Sequence, residues 1–328
     1  GALEEIQSVT LPGKSGPMGL SPDGRLLYVN TSSENGAALA TFSVNPDGTL
    51  EKLHAADCGW NSGYVRVDAK GRFITGNSYG AGKVGIWPLD ENGVYRGGLV
   101  RDFELEKKAH SAVFSPDNHY LFVPATGPNK IFQLVFKEET GAIHPNQPSS
   151  APVATDLTDV CQPRHLIFHP NERFAYTSNE KLRPGVGVWE YDKEAGRLTN
   201  IQGIASVDGD SDGMSTADIH FSKNHQFVFV SNRDGKNKNA PQGRDAITVF
   251  KIDDTTGRLS LVNRFPCERI PRSFAVGREG KLLFVSGQGD SKLGVYQIDQ
   301  DTGILTKVES HQLPGKPVWV SVLPFGKG

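Results

Sequence analysis

An all-β fold, a seven-bladed β-propeller of four-stranded antiparallel blades, is predicted by three observations. The chain carries a sixfold internal repeat at blade spacing, its apolar runs are short and cut by turn residues, and no segment has a convincing 3.6-residue periodicity. Each repeat opens with a short apolar strand, a polar turn and a second apolar strand, over residues 18–29, 65–75, 112–123, 166–177, 219–230 and 274–285. With the turn residues Asp23, Lys70, Asp117, Asn171, Asn224 and Glu279 as markers, the intervals by subtraction are 47, 47, 54, 53 and 55 residues. A third apolar run follows, clearest at residues 83–87, 185–191, 246–252 and 293–298. The pairs Asp47-Gly48, Thr140-Gly141, Ala195-Gly196, Thr256-Gly257 and Thr302-Gly303 then mark tight turns into a fourth strand. Glycine and proline, 37 and 20 of 328 residues, supply the many turns this architecture needs. After the sixth repeat, residues 316–323 read as an innermost strand and residues 3–10 as an outermost one. The seventh blade is therefore expected to be incomplete, its two middle strands belonging before Gly1, the alternative being six blades with spare edge segments; residues 1–328 are expected to form one propeller domain.

Composition limits the function. With 22% charged and 37% hydrophobic residues the chain is an ordinary soluble globular protein, not a disordered one. Thirty-five Lys and Arg against 37 Asp and Glu leave a net charge of -2, so no overall basic field gathers nucleic acid or an anionic membrane, and neither is expected as a partner. No apolar run reaches the roughly 20 residues of a membrane span or forms the core of a signal peptide. Cys58, Cys161 and Cys267 are widely spaced and form no Cys-x-x-Cys, which suits inert buried thiols in a reducing, cytoplasmic setting.

Blade geometry sorts residues by face. The first strand runs from the top face to the bottom and the second returns, so two repeat positions should rim the top. Just before the first strand stand Gly16, Gly63, His110, Arg164, Ala217 and Arg272; just after the second stand Ser32, Ser78, Thr126, Glu180, Arg233 and Gln288. Ionisable side chains thus accumulate in the later repeats. Guanidinium groups suit a carboxylate or phosphate, and a carboxylate with an imidazole suits proton transfer. The competing reading is a salt-bridge network that only ties blades together.

Other features are weaker. His165 and His169 would share a helix face, but on a strand they stand about 13 Å apart, too far for one metal. The run Gly80-Ala81-Gly82-Lys83-Val84-Gly85 matches a dinucleotide fingerprint but falls in a hairpin with no helix to receive a phosphate. Asp218 and His220 alternate with apolar residues and are candidates for substrate contact, with a hydrogen-bonded structural role as the alternative. Trp87, Trp189 and Trp319 are expected in the blade core.

The segments around His110, residues 163–172, Ser178-Asn179-Glu180, residues 217–220, Asn232-Arg233, Pro271-Arg272 and residues 315–320 resemble the seven-bladed propeller lactonases. That family includes bacterial 6-phosphogluconolactonase and fungal carboxy-muconate lactonizing enzyme. The resemblance implies a site of His110, Arg164, Glu180 and Arg233, each already selected by the repeat comparison. It implies hydrolysis of a small anionic sugar-acid lactone, foremost 6-phosphogluconolactone of the pentose phosphate pathway. Glu180 or His110 would act as base, Arg164 and Arg233 as anion cradle, and Arg272, with Asp218 and His220, as substrate contacts. No cofactor or metal is expected. A muconate cycloisomerisation on the same cradle, or a non-catalytic binding propeller, are the alternatives.

Overall fold

The computed structural model describes residues 3–34, 36–153, 160–236 and 243–323, and among them it shows six four-stranded antiparallel sheets and no helix. Strands are numbered in chain order. The first sheet holds β1 (Met18–Leu20), β2 (Leu26–Ser33), β3 (Gly36–Val44) and β4 (Leu50–Asp57); the second holds β5 (Val65–Val67), β6 (Phe73–Ser78), β7 (Lys83–Pro88) and β8 (Arg101–Glu104). The third holds β9 (Val113–Phe114), β10 (Tyr120–Ala125), β11 (Lys130–Lys137) and β12 (Ala142–Pro152). The fourth holds β13 (Val160–Phe168), β14 (Phe174–Leu182), β15 (Gly185–Asp192) and β16 (Arg197–Ala205). The fifth holds β17 (Met214–Phe221), β18 (Phe227–Asp234), β19 (Ala246–Ile252) and β20 (Leu259–Pro266); the sixth holds β21 (Pro271–Val276), β22 (Leu282–Gly287), β23 (Lys292–Ile298) and β24 (Leu305–Gln312). Strands within each sheet pair in sequence order, the arrangement of propeller blades.

The chain divides into two compact units. The first runs up to Pro128 and takes in Phe132–Ser150 and Leu323; the second is Asn129–Ile131 with Ala151–Val322. Within each unit, the apolar faces of successive blades meet. Tyr28, Leu39, Ile74, Trp87 and Tyr95 form one such layer in the first unit. In the second, Phe174, Tyr176, Val188, Ile219, Val230 and Phe250 form another, and Phe229, Val249, Phe274, Leu283 and Tyr296 a third. The third strands are almost wholly buried, as in β15, whereas the fourth strands keep an exposed face, as in β24, and so form the outer edge. Trp87 and Trp189 are core residues as expected, each indole N–H satisfied, by the Cys58 carbonyl and by Thr177 Oγ1.

Three expectations are corrected. Residues 3–10 form no strand; they are exposed, and the Gln7 side chain alone bonds both the N–H and the C=O of Leu50, so β4 is capped by an amide group instead of a further ladder. Residues 316–323 also form no strand, because no described neighbour offers them a ladder; the Val320 N–H instead donates to Ser273 Oγ at 3.3 Å. Trp319 lies on that segment and is half-buried, its ring 6.1 Å from that of His165, so it is not a blade-core residue.

Candidate active site

In the fourth, fifth and sixth blades, the ladder between the first two strands slips near its start. Pro163 pairs with Asn179 and His165 with Ser178, so Arg164 is an extra residue. Thr216 pairs with Asn232 and Ile219 with Val230, so Ala217 and Asp218 oppose Ser231 alone. Pro271 pairs with Gly287 and Ser273 with Ser286, leaving Arg272 as the extra one. Such a bulge bends its strand and re-aims a side chain that alternation would have sent elsewhere. A serine at one repeat position of the second strand satisfies the disturbed backbone. Ser178 Oγ accepts from the His165 N–H at 3.3 Å, Ser231 Oγ accepts from the Asp218 N–H at 3.0 Å, and the Ser286 hydroxyl donates to the Ser273 carbonyl at 2.6 Å.

The expected rim positions are thereby relocated. Arg164, Ala217 and Arg272 lie within β13, β17 and β21 instead of ahead of them, and Glu180 and Arg233 lie within β14 and β18 instead of after them. The first two strands of these blades extend further than the apolar runs indicate, since polar residues continue the ladder. Arg164 is consequently only 2% exposed.

Within the second unit these bulges gather Arg164, Glu180, Arg233, Arg272, Asp218 and His220. Arg233 Nη2 donates to Glu180 Oε1 at 2.9 Å and to the Thr216 carbonyl at 2.8 Å, while its Nε is buried with no hydrogen-bond partner among the described residues. Burial pushes the Arg164 guanidinium down to about 9, and Arg233 beside it adds to the shift while Glu180 opposes it. Arg272 is half-buried and makes no hydrogen bond or ion pair with the described residues. Burial, and then Arg233, lower its pKa too. Asp218 is fully engaged: Oδ1 accepts from His165 Nδ1 at 2.9 Å and from the Ile219 N–H at 3.1 Å, and Oδ2 accepts from Ser273 Oγ at 3.0 Å. His220 Nε2 stands 3.3 Å from Oδ2. Burial alone would raise the Asp218 carboxyl; His220 beside it and the bond from His165 more than reverse this and hold it well below the usual carboxylate range. Three guanidinium groups thus meet two carboxylates, one of them already saturated by its neighbours. The surplus is positive, and it is partly sheltered from water.

His110 belongs to the first unit, where its N–H donates to the Pro124 carbonyl and its ring meets Tyr79 edge-on at 5.3 Å between centroids. His165 and His169 share no ligand: His165 faces Asp218, whereas His169 Nε2 lies 3.2 Å from the His225 carbonyl. Gly80–Gly85 spans the turn between β6 and β7 and the start of β7, as the hairpin reading expects. All three cysteines are free thiols, and burial pushes that of Cys58 up to about 11. The sequence reading missed His165 as a member of the site, having weighed it only as a metal ligand. The signal was one column along: His165, Asp218 and Ser273 each follow a residue of the first column, and the structure joins them in one hydrogen-bonded series.

Propeller blades that bring three guanidinium groups together at and beside their bulged first strands define a β-propeller protein with a cationic cluster. More narrowly, residues 1–322 match the family described as lactonase, seven-bladed β-propeller, and the chain belongs to that family. It is 30% identical over 324 residues to the 6-phosphogluconolactonase of Serratia proteamaculans, covering 98% of this chain and 92% of that one. It is likewise 30% identical over 323 residues to that of Yersinia pestis, covering 98% and 91%. Among solved structures, a candidate 6-phosphogluconolactonase from Bacteroides fragilis superposes with a TM-score of 0.80 at 25% identity, over 93% of this chain and 85% of that one. The periplasmic gluconolactonase of Pseudomonas aeruginosa shares the fold, with a TM-score of 0.79 at 24% identity over 92% and 86%.

Proposed function

We propose that this protein hydrolyses a sugar-acid lactone, foremost 6-phosphogluconolactone to 6-phosphogluconate in the pentose phosphate pathway. The observation that carries the reading is the surplus of guanidinium charge in the second unit, above all the half-buried Arg272, which makes no hydrogen bond or ion pair among the described residues and suits the substrate phosphate. Family membership and the named relatives support it. In the proposed reaction a water attacks the ring carbonyl carbon while a base takes its proton. The carbonyl oxygen becomes an oxyanion beside Arg164 and Arg233, and the ester C–O bond breaks as the ring oxygen is reprotonated. Carboxylate and hydroxyl are the products. Glu180 is the proposed base, since Arg233 engages Oε1 and Oε2 is left to receive the proton; His110 is the alternative. An ester this reactive needs only a placed water and charge stabilisation, so no metal or cofactor enters the scheme. Asp218 contributes here by holding its neighbours, and His220, with 38% of its side chain exposed, is the better candidate for substrate contact.

The reading extends to the whole chain as one propeller domain in the cytoplasm. A panel of lactones tests the function: glucono-lactone with and without the 6-phosphate, and a muconolactone. Turnover is expected to be fastest with the phosphorylated sugar lactone. Uniform inactivity across the panel would overturn the assignment.

A further inference from the structure

Arg164 carries its charge almost out of contact with water, and a buried guanidinium is useful only if its plane is held. Its Nη1 donates to two acceptors at once, the Ala217 carbonyl and His165 Nε2, the latter at 2.9 Å. Both hydrogens of that nitrogen are thereby engaged. Arginine offers only donors, so His165 Nε2 has to be the accepting, unprotonated nitrogen of the ring. The single ring proton then sits on Nδ1, where Asp218 Oδ1 accepts it at 2.9 Å. Asp218 is fixed in turn by the Ser273 hydroxyl and the Ile219 N–H. His165 and Asp218 are each about 3 to 5% exposed in their side chains, so water does not compete for these bonds.

We infer that His165 is a positioning residue: Asp218 selects the tautomer that presents a lone pair at Nε2, and this lone pair orients the Arg164 guanidinium toward the substrate anion. The device follows from the repeat. The residues that would reach the substrate stand at the bulges, and the next residue along in the fourth, fifth and sixth blades, His165, Asp218 and Ser273, forms a supporting belt behind them. The lowered proton affinity of His165, to about 4, agrees with a ring kept neutral by burial and by Arg164.

The inference rests on the proposed role of Arg164 as an anion-binding group, and a double-mutant cycle separates the two. Hydrolysis of 6-phosphogluconolactone is measured for Arg164→Ala, His165→Phe and the double variant, with a melting temperature for each. His165→Phe is expected to lower kcat/KM by roughly 10- to 100-fold, the worth of one hydrogen bond to a charged group. In the Arg164→Ala background the same replacement should cost less than about twofold, because its target is gone. His165→Gln places an acceptor near the Nε2 position and should recover part of the loss. Should the Phe variant not fold, His165→Asn serves in the cycle, since it keeps the bond to Asp218 and loses the acceptor at Nε2. Additive losses from folded single variants, or a fully active His165→Asn, would overturn the positioning role. An Arg164→Ala protein with undiminished activity would instead overturn the reading of Arg164 on which the inference stands.

Discussion

At the scale of single residues, the candidate site separates groups whose charge is matched by a described neighbour from one, Arg272, that the proposed reaction would use for the substrate anion. Arg233 and Glu180 are bonded to each other at 2.9 Å with 11% and 13% of their side chains exposed. Arg233→Ala would strand a largely buried carboxylate, and is expected to lower stability by about 3 kcal/mol as well as activity. Arg272 has no such partner among the described residues. Arg272→Ala should therefore leave the melting temperature nearly unchanged while raising KM for a phosphorylated lactone by roughly tenfold or more, and much less for a neutral one. If Glu180 is the base, Glu180→Gln retains its shape and should lower kcat by roughly 10²- to 10⁴-fold with a modest change in KM. Equal melting losses in all three variants, with turnover per folded molecule intact, would make this a purely structural network. Arg164, Glu180, Arg233 and Arg272 were legible from the repeat columns, and Asp218 and His220 from their alternation with apolar residues. Their hydrogen bonding was not, because whether Arg164 points into the blade or off its end depends on a one-residue slip that period-2 alternation does not contain.

At the scale of strands and turns, the apolar runs and glycine turns predicted the blades well, and the bulges account for most of what they missed. A second slip recurs between third and fourth strands, beside Phe42, Trp189, Phe250 and Tyr296, which occupy one repeat position and are all buried. It adds twist where the sheet turns its outer edge. The third-to-fourth turns are also packing devices. Gly257 has φ +68 and lies so close to the Phe174 ring that an added Cβ would stand 2.5 Å from it; Gly303, at φ +74, meets Phe227 at 2.8 Å. Each glycine thus permits the turn and lets it rest on an aromatic ring of the preceding blade. Gly257→Ala combines left-handed backbone strain with displacement of a core ring, and should cost about 1–3 kcal/mol. A control at Gly209, also at positive φ (+60) but with open space around it, should cost only the backbone share. Equal losses at both sites would show that ring contact contributes nothing.

At the scale of the whole molecule, the uneven repeat intervals carry information about where chemistry resides. The longer intervals fall in the later blades, and there the first strands lengthen, from three residues in β1 and β5 to nine in β13 and eight in β17. That added length holds the bulges and the buried polar belt. Burying imidazole makes the fold acid-sensitive, and the sign follows from the proton count. Burial, with Arg164 beside it, lowers the pKa of His165 from 6.5 to about 4, so below pH 6.5 the unfolded chain takes up a proton that the native state refuses. Stability contributed by the neutral ring is complete above pH 6.5 and is lost as the pH falls toward 4. Burial and the neighbouring His169 lower His225 as well, with the same sign. The depressed Asp218 adds its loss only below the ordinary carboxylate range, while Asp245 and Asp290, raised by burial, work in the opposite direction just above that range. The His165 share is isolated by difference. Between pH 7 and pH 5 the native protein should lose about 2 kcal/mol more unfolding free energy than His165→Gln, which has no proton to gain at that position. Denaturant titrations of both proteins at the two pH values measure it. Parallel losses would mean that this ring titrates alike in the folded and unfolded chain, and so that burial and Arg164 do not hold it neutral.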